Sequence, residues 1–172
     1  MNVRLRPYDP QRKGEDAALY DIFFEAARTG ARDHYTDAQR RAWVPHRNMP
    51  NGWAGKLAQM QTWVAEVENE VAGFMALRED SQSDGYIDLA FVRPRWMGRG
   101  VAQALYGIIL ERAHAGGLTR LTTHASHLAR PFFARVGWRV DYPETVEKDG
   151  EALERFAMSL ELGDHDEKTN QS

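Results

Sequence analysis

One segment constrains this chain more than any other. Tyr86-Ile-Asp-Leu-Ala-Phe-Val-Arg-Pro-Arg-Trp-Met-Gly-Arg-Gly-Val-Ala runs from an apolar stretch, through two closely spaced glycines, into an amphipathic pattern. Tyr86–Val92 has the aromatic and branched content of a strand. Gly100–Ala115 puts Ala102, Leu105, Tyr106, Ile109, Leu110 and Ala113 on one face of a helix, and Gly116-Gly117 stops it. A strand that turns on glycines straight into a helix aims the helix's unpaired N–H groups at the turn, a concavity suited to phosphate. Gly98 and Gly100 let the backbone curl and let a phosphate approach with no Cβ in the way, while Arg95 and Arg99 add positive charge. The same residues also describe an ordinary glycine-rich turn with solvated arginines, and the segment alone leaves both readings open.

The rest of the chain supplies a frame for it. Val3–Pro7 reads as a first strand, and Asp9-Pro10 has the form of a helix start, with Leu19, Ile22, Phe23, Ala26 and Ala27 on one face of the helix that follows. Thr36-Asp-Ala-Gln39 fits a capping box for a second helix that must stop before Pro45, and 46–52 reads as a loop. Thr62–Val67 and Val71–Leu77 form a hairpin around Glu68-Asn69-Glu70. Leu121–Ser126 is a strand, Arg130–Val136 a short helix, and Trp138–Tyr142 and Leu153–Leu160 two closing strands. The spacing predicts one α/β domain over 1–162 with a mostly antiparallel sheet, followed by a polar, disordered tail over 163–172.

Composition narrows the chemistry. The chain has 172 residues, a net charge of −3, and no long basic run, which argues against a general nucleic-acid or anionic-membrane surface. It has no cysteine, so disulfides, thiolate metal sites and a cysteine nucleophile are all excluded. The histidines show no metal-binding spacing, and no metal is expected. With no apolar leader and no stretch long enough to span a bilayer, the cytoplasm is the expected compartment.

Two phosphate-binding patterns fail on inspection. A Walker loop needs Lys and then Ser or Thr after its last glycine, and a dinucleotide fingerprint wants Gly or Ala where Gln103 stands. What the residues do match is the GNAT superfamily of N-acetyltransferases. Arg95-Trp-Met-Gly98-Arg-Gly100 resembles its pyrophosphate loop, Gln/Arg-x-x-Gly-x-Gly/Ala, preceded by Val92-Arg-Pro94. Ser126-His-Leu-Ala129-Arg-Pro-Phe-Phe133-Ala-Arg-Val-Gly137-Trp138 is similar to the family's second motif, Asn-x-x-Ala-x-x-x-Tyr-x-x-x-Gly-Phe. The segment Asp33–Trp43 resembles a bacterial subgroup whose substrates are mostly unassigned.

The resemblance implies a seven-stranded mixed sheet flanked by helices, splayed between its fourth and fifth strands, Tyr86–Val92 and Leu121–Ser126. It implies acetyl-CoA as co-substrate, lying in that wedge. The pantetheine arm would meet backbone near Phe91 and Val92, and the pyrophosphate would sit over Met97, Gly98, Arg99, Gly100, Val101 and Ala102, with Arg95 at the rim. Ser126 and Phe133 would face the same ligand. Two positions depart from the family. Ser126 replaces an Asn, and Phe133 replaces a Tyr whose hydroxyl often protonates the departing thiolate.

An amine acceptor, small molecule or peptide, must lose a proton before it attacks, because a lysine-like amine has a pKa near 10.4. Asp88, inside an apolar strand, and His124, which shares strand parity with Ser126, are the candidate bases. Simple alternation puts Asp88 on one face with Ala90 and Val92 unless a bulge intervenes. Each also reads as a hydrogen-bonded structural residue. His34, Tyr35, His46, Trp43 and Trp53 lie on segments that cover the acceptor side, where packing is the simpler role. A direct-transfer enzyme leads; a non-catalytic acyl-CoA-binding module and a nucleotide-binding domain are the competing readings. The acceptor's identity, and the choice between monomer and homodimer, are not legible.

Overall fold

The computed structural model describes residues 1–163; residues 164–172, within the expected tail, lie outside them. Seven strands form one sheet in the order β1-β2-β3-β4-β5-β7-β6: β1 (Val3–Pro7), β2 (Gln61–Val67), β3 (Glu70–Glu79), β4 (Asp84–Val92), β5 (Arg120–Ser126), β6 (Arg139–Lys148) and β7 (Glu151–Glu161). Every pairing is antiparallel except β4 with β5. The β2–β3 hairpin turns on Glu68 and Asn69, both at positive φ, the conformation that suits the twist of a two-residue loop.

Helices cover both faces. The long helix α4 (Val101–Ala115) buries Leu105 and Ile109 completely, against Met75, Leu77, Ile87 and Leu121. Each such side chain contributes about 1.5–3 kcal/mol relative to exposure. On the opposite face α1 (Glu15–Glu25) and α3 (Trp53–Gln59) pack Leu19, Ile22, Trp53 and Leu57 on Val64, Phe74 and Leu89. Two shorter helices, α2 (Asp37–Trp43) and α5 (Arg130–Arg135), flank the β5–β7 half. Thr36 caps α2 reciprocally with Gln39, as the capping-box pattern predicts.

Several elements depart from the sequence expectation. The first helix starts at Glu15 and not at Asp9-Pro10. The Asp9 carboxylate accepts from the Gln11 N–H in a local turn, and Glu15 accepts from the Asp9 N–H while pairing with Arg6 at 2.5 Å. Gly14 then opens the helix in a left-handed conformation. A π-helical turn over Ala26–Gly30 extends α1. The segment after the 46–52 loop forms α3, too short for a periodic signal. β6 runs on to Lys148, through Pro143, because it is the sheet's edge and needs neither apolar residues nor a full ladder.

Candidate active site

The site originates in a fault between two strands. β4 and β5 pair only from Asp84 with Arg120 to Ile87 with Thr123, and the Thr123 hydroxyl donates to the Ile87 carbonyl at 2.8 Å at the end of that pairing. At the next residue β4 bulges. Ile87 pairs with Leu77 and Leu89 with Ala76, so Asp88 has no partner in β3. A bulge bends and over-twists its strand, which carries β4 away while β5 stays paired to β7 through Ser126. The bulge also corrects the alternation expected from sequence. Ala90 and Val92 pack on the α4 side, but Asp88 turns to the α3 side, where Lys56 Nζ lies 3.0 Å from its Oδ2.

Two cavities meet across the opened strands. One of about 540 Å³, on the α4 side, is lined by Phe91, Val92, Met97, Gly98, Gly100, Val101, Ala102, Ser126 and Phe133. The other, the inner cavity, about 330 Å³, is lined by Tyr35, Trp43, Tyr86, Asp88, Phe91, His124, Ser126 and Phe133, among others. Ala90, Phe91, Ser126, Ala129 and Phe133 wall both. Thus the ligand residues inferred from the glycine loop and the candidate bases lie on two sides of one partition.

The loop has the form a phosphate needs. Gly98 and Gly100 have φ of +74° and +85°, and no atom lies within 4 Å of where a Cβ would stand. Gly100 is the N-cap of a fifteen-residue helix whose first-turn N–H groups have no intrahelical acceptor. Arg95 and Arg99 stand apart from the cavity wall. Arg95 is paired with Glu70, and both guanidiniums lie over Trp96, at 5.6 and 5.5 Å from the ring centre. Phe133 is fully buried against Phe132 and Trp138. The Ser126 hydroxyl accepts from the Ala129 N–H at 3.2 Å, anchoring the turn into α5.

His124 is held from both sides. Its Nδ1 is 2.8 Å from the Tyr86 hydroxyl and its Nε2 3.4 Å from Glu144, itself paired to Arg155 at 3.2 Å. Burial first, then the Arg155 charge, push the imidazole pKa below its ordinary value, against a smaller upward pull from Glu144. Burial pushes the Tyr86 hydroxyl up, with the Asp88 charge adding to it. Of the covering residues, Tyr35 and Trp43 reach the inner cavity. Tyr35 donates to the Glu154 carbonyl at 2.6 Å and accepts from the His127 N–H at 3.0 Å. Trp53 is core, near parallel to Phe23 and donating to the Asp16 carbonyl, and His46 stands outside the inner cavity. His34 stacks on His127. Sequence reasoning missed Tyr86, Lys56, Glu144 and Arg155. Only Tyr86 carried a local signal, a polar-tipped residue two positions before Asp88. Among the described residues no cluster of His, Asp and Glu has the makings of a metal site.

The splayed mixed sheet with a glycine turn at the head of α4 is the architecture of GNAT acetyltransferases, and this chain belongs to that family. The model for an acetyltransferase (GNAT) domain matches residues 31–162. An uncharacterised N-acetyltransferase of Escherichia coli K12, YafP, is 34% identical over 157 residues, covering 91% of this chain and 95% of the relative. A GCN5-related N-acetyltransferase from Rhodopseudomonas palustris superposes with a TM-score of 0.83 at 29% identity, over 94% of this chain and 97% of the other. Fold alone is shared with YncA of Salmonella typhimurium, solved with acetyl-CoA, at a TM-score of 0.68 and 18% identity over 96% of both chains. The protein is therefore an acetyltransferase. No helix among the described residues is long and apolar enough to cross a membrane.

Proposed function

We propose that this protein transfers the acetyl group of acetyl-CoA directly to an amine, with both substrates bound at once. The observation that carries this reading is the shared partition: one cavity opens onto a phosphate-suited loop, the other onto titratable side chains, and Phe91, Ser126 and Phe133 wall both. The YncA neighbour's acetyl-CoA supports the choice of co-substrate. In this reading the amides of Met97 to Ala102 hold the pyrophosphate, and the parted edge of β4 near Phe91 and Val92 receives the pantetheine arm. Backbone N–H groups on that edge stabilise the oxyanion that forms as the amine attacks.

Proton removal falls to His124 acting through Tyr86. With the neutral imidazole accepting at Nδ1, the Tyr86 hydroxyl donates to it and its oxygen is left to take the acceptor's proton. As that proton arrives, Tyr86 passes its own to Nδ1, and Glu144 lies beside the imidazolium that forms. The amine nitrogen then bonds to the carbonyl carbon, the C–S bond breaks, and the nitrogen's surplus proton leaves with the thiolate. A thiol pKa of about 8.5 means that no dedicated acid is needed there, which accommodates Phe133. Asp88 contributes negative charge near the ammonium, shared with Lys56. A base role for Asp88 itself is the second reading, favoured by its place at the apex of the wedge. The absence of cysteine supports direct transfer, since no thiol can carry an acyl-enzyme. Thiol release from acetyl-CoA across a broad amine panel tests the proposal: acetylation of at least one amine class is expected, and release without an acetylated product would refute it.

A further inference from the structure

Phe23, Trp43 and Lys148 wall both the inner cavity and a wider depression of about 690 Å³ beyond it, so the two spaces adjoin at these side chains. Lys148, the last residue of β6, donates to the Trp43 carbonyl at 2.7 Å. That bond fixes the ammonium at the neck without neutralising it. Of the lysines and arginines on these walls, Lys56 is matched by Asp88 at 3.0 Å and Arg155 by Glu144 at 3.2 Å. Lys148 has no carboxylate within ion-pair distance among the described residues. An ammonium carries three donors, and one carbonyl engages only one of them.

The walls on either side of the neck combine charge with aromatic rings. A cation stands at Lys148, and the rings of Trp43, Phe23 and Phe91 follow, with Phe23 lying 6.3 Å from Trp43 and 4.6 Å from Phe91. The carboxylates of Asp88, shared with Lys56, and of Glu154, beside His127, also stand on the inner cavity's wall. We propose, resting on the acetyltransferase reading above, that the acceptor is an amine that also carries a carboxylate. Its ammonium end lies toward Asp88 and Tyr86, its apolar body lies along the aromatic rings, and its carboxylate meets Lys148. One ammonium balances one negative charge, so the site suits an acceptor with a single carboxylate. It disfavours polycationic acceptors, whose second charge would meet Lys148.

Calorimetric titration of the CoA-saturated enzyme with para-(aminomethyl)benzoate and with the matching benzamide tests this without requiring turnover. The carboxylate is expected to bind at least about tenfold tighter, the scale of a hydrogen bond to a charged group. The preference should fall to near unity in Lys148→Met and survive in Lys148→Arg, which keeps the charge. Equal binding of the two compounds, failure of both to bind, or a preference that persists in Lys148→Met overturns the inference. Thiol release with benzylamine, run in parallel, separates the two claims. Turnover of that amine with no carboxylate preference refutes the acceptor class while leaving acetyl transfer intact.

Discussion

The hydroxyl of Tyr86 and Nδ1 of His124 lie 2.8 Å apart, on β4 and β5, beside the last rung before those strands part. The contact puts a phenol and an imidazole on the wall of the inner cavity, with Glu144 and Arg155 behind the ring. Each imidazole nitrogen has a polar neighbour, which fixes the ring's orientation.

Tyr86→Phe removes the first step of this relay and keeps the ring. We expect kcat to fall by about 10² or more, the low end for loss of acid–base assistance. Acetyl-CoA affinity should change little, because Tyr86 does not line the cavity beside the glycine loop. Steady-state kinetics and a CoA titration on the same variant separate the two effects.

The pH dependence follows from the direction of the His124 shift. Burial and Arg155 disfavour the imidazolium, so the neutral ring persists to lower pH than an ordinary imidazole near 6.5. The relay needs the neutral form. Activity should hold down through pH 6.5 and fall only below it, as the ring protonates. His124→Asn should lack that acidic limb. A kcat/KM profile for the free enzyme with its acid limb above 6.5 would contradict the assignment.

Gly98 and Gly100 both sit at positive φ in open space. Valine at both positions strains the turn by about 1–3 kcal/mol per residue and fills the volume assigned to phosphate. A folded Gly98→Val, Gly100→Val double variant should lose most of its CoA affinity. Unchanged affinity, measured by calorimetry on a variant with native circular dichroism, would remove the loop from the binding site.

Phe133→Tyr should be tolerated. The ring lines both cavities as well as packing on Trp138, and the added hydroxyl is expected to turn toward one of them. Turnover should equal or exceed that of the parent, most visibly at mildly alkaline pH, where solvent protons are scarce and a phenol near pKa 10 still donates. Loss of activity with CoA binding intact would show that this side chain does not face the sulfur.

Legibility in the sequence followed the range of the interactions. The Thr36–Gln39 capping box, the Gly98–Gly100 turn and α4 depend on residues a few positions apart, and all three could be read directly. The start of α1 could not, because Glu15 is held by Arg6 and by the Asp9 N–H, which leaves Pro10 in a turn. The bulge at Asp88 arises from the register of β4 against β3, which no single strand records, and it moved the carboxylate to the other face. His124 was visible by its parity with Ser126, but its partners were not. Tyr86 is 38 positions away, and Glu144 lies on an edge strand whose length the polar sequence concealed. Two motifs thus located the loop and the wedge, while the side-chain contacts in the wedge come from long-range pairing.

Direct transfer between two occupied cavities is the central claim, and a two-substrate initial-velocity study tests it most directly. Varying acetyl-CoA at several fixed concentrations of an acetylated amine should give double-reciprocal lines that intersect. Mass spectrometry of enzyme incubated with acetyl-CoA alone should show no acetyl group on a residue lining either cavity. Parallel lines, together with an acetyl-enzyme that passes its acetyl group to the amine, would contradict it.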